Sequence, residues 1–200
     1  MGYGYATIAA APAASANGYK TSVDMANGAY ALDALVPTFG ARHVTMTRTV
    51  VNAADTPGTI TVVGKSPSGE VITEVITPGA HGVLVTGTKF FASLVSATQA
   101  GWVLGAAAAD TIVIGWDAQN AVTAGSGTLH AIVINTTAAG AITVADSKGT
   151  IATIPSNVAV GTFYEYDVEF SGYLRVEPAA ASNITVIFNP SGSGLTYAMS

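Results

Sequence analysis

Short runs in which apolar and polar residues alternate one for one recur about every ten residues along this chain, and that rhythm restricts the fold to strands and turns. In Asn183 to Asn189, Ile184, Val186 and Phe188 share one face while Asn183, Thr185 and Asn189 share the other. In Tyr173 to Glu177, Leu174 and Val176 oppose Tyr173, Arg175 and Glu177. In His43 to Val51, Val44, Met46, Arg48 and Val50 oppose Thr45, Thr47 and Thr49. Ile112-Val113-Ile114 and Ala131 to Ile134 are apolar on both faces, as strands buried on both sides would be. Turn residues separate these runs: Asp55-Thr56-Pro57-Gly58, Ser66-Pro67-Ser68-Gly69, Pro78-Gly79 and Asp146-Ser147-Lys148-Gly149. The last of these joins Ala141–Ala145 to Thr150–Ile154 as a short hairpin. Helical spacing is weak throughout, with the alanine-rich stretch Ala26 to Leu35 as its one candidate.

The expected fold is therefore all-β: two β-sandwich domains, jelly-roll or immunoglobulin-like, with an extended N-terminal arm. The uncharged stretch Gln119 to Gly127 ends in Gly125-Ser126-Gly127 and marks the boundary. This predicts an arm over residues 1–20, a sandwich over 21–120 and a smaller sandwich over 127–200, hinged near Gly125. Ala106-Ala107-Ala108-Ala109-Asp110 precedes one apolar run, and Pro178-Ala179-Ala180-Ala181-Ser182 precedes another, which suggests a diverged repeat.

Charge is scarce. Only 10% of the 200 residues are charged, against about a quarter in a typical soluble domain, while half are hydrophobic. Such a chain has material for a core and is not disordered. Its net charge of −5 argues against binding nucleic acid through phosphate neutralisation. Cysteine is absent, which excludes disulfides, thiolate catalysis and Cys-based metal sites. The N-terminal stretch has no basic residue before Lys20 and no Leu/Ile/Val run, so it does not read as a signal peptide. The uncharged run from Phe90 to Ala109 is interrupted by Ser93, Ser96, Thr98, Gln99, Gly101 and Gly105, so it reads as strand–loop–strand rather than a membrane span.

No catalytic set can be assembled. The histidines His43, His81 and His130 lie far apart in sequence and form no HxH or HExxH pattern, so no shared metal site is expected. Nucleophile-elbow, P-loop and dinucleotide motifs do not occur. Asn135 and Asn183 open N-x-T sequons that matter only in a secreted eukaryotic protein. One cluster stands out: in Glu165-Tyr166-Asp167-Val168-Glu169, alternation puts three carboxylates on one face and the aromatic and apolar residues on the other. It reads as a solvated strip or one that meets a basic partner; calcium would want more oxygen ligands, and a glycosidase pair would want a polar cleft. At the other end of the chain, Tyr3 and Tyr5 alternate with Gly2 and Gly4, as suits an arm laid against a neighbour. Candidate interaction residues are thus Tyr3, Tyr5, Glu165, Asp167 and Glu169, with no catalytic residue, cofactor or metal expected.

Several segments together resemble structural proteins of tailed bacteriophages. These are Glu70 to Thr77, Thr86 to Leu94 and Ala109 to Trp116, then Gly127 to Asn135, Gly149 to Ile154, Tyr166 to Phe170 and Asn183 to Val186. The resemblance spans most of residues 41 to 189 and is a pattern of strand and turn residues. It implies a virion protein made in the host bacterium's cytoplasm, a capsid decoration (cement) protein on the shell exterior whose partner is the major capsid protein. A head–tail connector or tail protein, or a carbohydrate-binding module of a receptor-binding fibre with Trp102 or Trp116 as platform, shares the composition. The few charges predict apolar contacts that resist salt, and threefold points of an icosahedral shell favour a homotrimer over a dimer. Deletion of Met1 to Ala16 is expected to weaken assembly and leave both sandwiches folded.

Overall fold

Thr, Val and Ile dominate the alternating runs because β-branched side chains pack on a pleated surface and crowd a helical turn. A computed structural model describes residues 3–9, 13–37, 40–105 and 109–191. Among them there is no helix, and 16 strands form four antiparallel sheets of four strands each. In chain order these are β1 (Gly4–Ile8), β2 (Ser15–Asp24), β3 (Gly28–Tyr30), β4 (Arg42–Thr49), β5 (Thr59–Lys65), β6 (Val71–Ile76), β7 (Leu84–Phe91), β8 (Ser93–Ala100) and β9 (Thr111–Trp116). There follow β10 (Ala121–Ala124), β11 (Gly127–Ile134), β12 (Ile142–Asp146), β13 (Gly149–Ile154), β14 (Phe163–Phe170), β15 (Tyr173–Pro178) and β16 (Ile184–Pro190).

The chain divides into two compact units, one of Ala13–Ala118 and one that joins Met1–Pro12 to Gln119–Ser200. The first contains the sheets β2-β9-β4-β7 and β3-β8-β5-β6. Both sheets feed one core: Val44, Met46, Ile112 and Ile114 come from the first, Ile60, Val62, Leu94 and Ala97 from the second. Tyr19 meets Trp116 edge-on, with ring centroids 4.9 Å apart. That tryptophan also fixes its neighbour, since a Cβ on Gly18 would lie 2.1 Å from the indole ring.

The second unit contains the sheets β1-β16-β11-β14 and β10-β15-β12-β13. Its core draws Ile8, Leu129, Ile132, Val186 and Phe188 from one sheet and Ile142, Val144, Leu174 and Val176 from the other. Strand β1, from the start of the chain, pairs with β16 near its end, Gly4 opposite Phe188 and Ile8 opposite Ile184.

The two units share one topology. Counting strands within each unit in chain order, both have one sheet ordered 1-8-3-6 and the other 2-7-4-5. The hairpins at Ser66–Gly69 and Asp146–Gly149 are then the same fourth-to-fifth connection. The suspected repeat also falls on equivalent places, since Asp110 and Ser182 each stand before the eighth strand; residues 106–108 lie outside the described residues. In the second unit, the whole first unit is inserted between strands one and two. Insertion is accommodated because the inserted unit's ends are adjacent: Ser15 pairs with Trp116, whose Nε1 donates to the Ala13 carbonyl at 3.2 Å.

The structure differs from the sequence reading in three places. The stretch read as an arm over residues 1–20 divides between the units: Gly4–Ile8 is an edge strand of one and Ser15–Asp24 an edge strand of the other. Residues 1–2 and 10–12 lie outside the described residues. The stretch read as the boundary and hinge, Gln119 to Gly127, contains β10, which pairs with β15, and Gly125 turns it into β11 at φ +88° with its N–H on the Gly172 carbonyl. The chain passes between units at Ala118–Gln119. There Arg42, fully buried, donates from Nη1 to the carbonyls of Asp117 and Ala118, and Arg175 donates to Gln119 at 2.6 Å. Finally, Ala26 to Leu35 is not helical: Gly28 takes φ +130° and leads into β3, where Tyr30 turns inward opposite Ala97.

Candidate functional site

Strand β14 alternates as its sequence requires. Tyr164, Tyr166 and Val168 pack against the core, with Phe170 within it, while Phe163, Glu165, Asp167 and Glu169 are exposed. Strand β1, at the opposite edge of the same sheet, buries Ile8 and leaves Tyr5 exposed. Tyr3, one residue before it, is 62% exposed and Tyr5 is 66% exposed. All five candidate interaction residues, drawn from the two ends of the sequence, therefore belong to the outer face of one sheet.

The centre of that face is built by irregular pairing. Between Leu129 and Ala131, β11 has one residue more than β16, which runs from Phe188 to Ile187 with nothing between. Over the same interval β14 runs from Val168 to Glu165, so Tyr166 and Asp167 both stand against His130. Bulges re-aim side chains, and this pair of them turns His130 and Asp167 toward each other. Asp167 takes φ +47° to do so, a left-handed conformation that aspartate tolerates better than most residues. The His130 Nδ1 lies 2.5 Å from Asp167 Oδ1, and the Tyr3 ring packs over the imidazole with centroids 5.0 Å apart. With Glu165, one ligand atom from each of the three side chains lies within 4.8 Å of the others.

His130 was not a candidate from the sequence. It lies 37 positions from Asp167, and only strand pairing brings them together. Glu169 is opposite Thr128 and outside the three-residue group. Among the described residues, Glu165 and Glu169 make no side-chain hydrogen bond or ion pair, and the four strands of this sheet contain three carboxylates and no Lys or Arg.

Other polar clusters do structural work. His43 Nδ1 meets Asp117 Oδ2 at 2.8 Å with both side chains mostly buried, and the same carboxylate accepts the His43 N–H at 3.3 Å. His81 Nδ1 accepts the Val50 N–H at 2.9 Å. Asp110 is fully buried; its Oδ1 accepts the N–H groups of Val51 and Asn52, and its Oδ2 accepts Arg48 Nε at 2.8 Å. Burial alone would raise the Asp110 pKa, yet these donors outweigh it and hold the carboxyl below its ordinary value. Asp146 behaves alike: burial opposes ionisation, and N–H donation from Lys148, Ser171 and Gly149 prevails. Burial pushes the Tyr30 hydroxyl up to about 12 and raises that of Tyr19 further. Trp102 and Trp116 are 3% and 6% exposed, so neither offers a sugar platform.

Comparison with known proteins found no matching family model, no matching curated protein and no matching solved structure.

Proposed function

We propose that this chain is a structural protein of a tailed-phage virion, a decoration protein that binds the exterior of the shell and bridges major capsid proteins. The observation that carries the reading is the outer face of the sheet β3-β8-β5-β6. Val71, Val95 and Val75 are 72%, 63% and 60% exposed there, among the threonines Thr61, Thr73 and Thr98. The four strands contain only two charged residues, Lys65 and Glu74, and Glu74 turns to accept the Thr88 N–H and hydroxyl on β7. Exposed apolar faces of this kind mark interaction sites, and this one fits a shell surface better than a soluble substrate.

Fold and composition support the same reading. Eight strands in two four-stranded sheets, with the same order in both units, read as a pair of jelly-roll sandwiches, an architecture used in viral capsid domains. The phage resemblance over residues 41 to 189 is the second support. The working form is a homotrimer at threefold points, with a dimer next.

Co-sedimentation with purified shells tests the proposal. The chain should pellet with shells and stay bound in molar salt, because an apolar contact is not screened. The triple substitution Val71→Asp, Val75→Asp, Val95→Asp should release it while the melting temperature stays near that of the parent. Absence of binding, or binding that the triple variant retains, would overturn the reading.

A further inference from the structure

We propose that His130, Glu165 and Asp167 form a binding site for one divalent transition-metal ion of the zinc class on the outer face of the sheet β1-β16-β11-β14. This proposal does not depend on the capsid reading.

The donor set is one imidazole nitrogen and two carboxylates, a combination that suits zinc and its neighbours. Zinc–donor bonds are about 2.0–2.2 Å, so two donors on a tetrahedral ion lie about 3.3–3.6 Å apart. The three donor atoms already lie within 4.8 Å of one another; an entering ion displaces the proton that His130 and Asp167 share across 2.5 Å, and rotation of the exposed carboxylates sets the spacing. Three protein donors leave outward positions for water or for a donor from a docked molecule. Calcium, which takes six to eight oxygens, is poorly served by this set.

Two features separate this group from an ordinary surface ion pair. A mostly buried histidine–aspartate pair in the same chain gives the contrast: Asp117 holds His43 and also accepts a backbone N–H, with no second carboxylate in a three-residue group among the described residues. At His130 the second carboxylate is present, and Glu165 has no partner of its own among the described residues. The sheet moreover supplies no Lys or Arg to offset Glu165, Asp167 and Glu169, so a bound cation meets no competing basic side chain from its strands. Tyr3 packs on the imidazole and restricts how the ring can turn, which is the role that surrounding groups play at metal sites.

Calorimetric titration of zinc chloride into the full-length, tag-free chain is the test. The expected result is one saturable site per chain, with calcium chloride giving none of comparable affinity. His130→Ala and Glu165→Gln should each weaken zinc binding by roughly tenfold or more, and Glu169→Gln should leave it unchanged. Glu165 and Glu169 are exposed and His130 is half-buried on the sheet's outer face, outside the core, so the metal-free variants should stay folded, and zinc should raise the melting temperature of the parent but not of His130→Ala. No saturable zinc site, equal binding by parent and His130→Ala, or calcium binding as tight as zinc would each overturn the proposal.

Discussion

Asp110 shows how much a single buried side chain can organise in a chain with few charges. Its two oxygens bind the N–H groups of Val51 and Asn52 and the Arg48 guanidinium, which also donates to the Asp55 carbonyl and lies 5.3 Å from the centre of the Trp102 ring. Asp55 in turn accepts the N–H groups of Gly105 and Asp110. Asp110→Asn keeps the shape and strands the Arg48 charge, so it should cost about 3–5 kcal/mol in chemical denaturation. The pH dependence follows from the sign of the shift. The carboxyls of Asp110 and Asp146 have lower pKa values in the fold than unfolded, so their stabilisation is complete above about 4, the unfolded value. It is lost as the pH falls through the folded values, and Asp110→Asn should flatten that acid limb. Legibility at this scale was uneven. Strand alternation was enough to put Glu165, Asp167 and Glu169 on one exposed face, because that depends only on neighbours in sequence. His130 was invisible as their companion, since its position depends on two coincident bulges and on which strands pair.

At the scale of elements, the turn residues and alternating runs were sufficient for the hairpin at Asp146–Gly149, for the turn at Ser66–Gly69 and for the strands β5, β6, β12, β13 and β16. What they could not reveal was β1. The run Gly4 to Ile8 has small residues at its inward positions Gly4 and Ala6 and only Ile8 as a large one. It reads as an arm because its partner, β16, comes from the far end of the chain. The expectation that an N-terminal deletion leaves both units folded changes accordingly. Ile8→Ala should destabilise the split unit by about 2–5 kcal/mol, the cost of emptying a buried isoleucine site. Deleting residues 1–12 removes the whole edge strand and uncovers one side of β16. In a thermal melt, that deletion should lower or abolish the transition of the split unit and leave the transition of residues 13–118 in place. Equal loss in both units would contradict the division of the chain described above.

For the whole molecule, the relation between the units is one of topology: the same eight-strand order occurs twice, with one copy threaded into the first connection of the other. An all-β fold was legible from composition and rhythm, and so was the equivalence of the two seventh-to-eighth connections. The threading was not, because a domain inserted after one strand looks, in sequence, like a domain that merely follows a short arm. Under the proposed reading, two β units, one with a Val/Thr face on which Lys65 is the one exposed charge, bridge neighbours on a shell. A connector with the same composition would differ in stoichiometry, since decoration follows the many lattice points of a shell and a connector follows a single vertex. Quantitative mass spectrometry of purified virions measures this directly. The decoration account predicts hundreds of copies per particle, while absence from the virion, or a count of about six or twelve as a ring at one vertex requires, would contradict it.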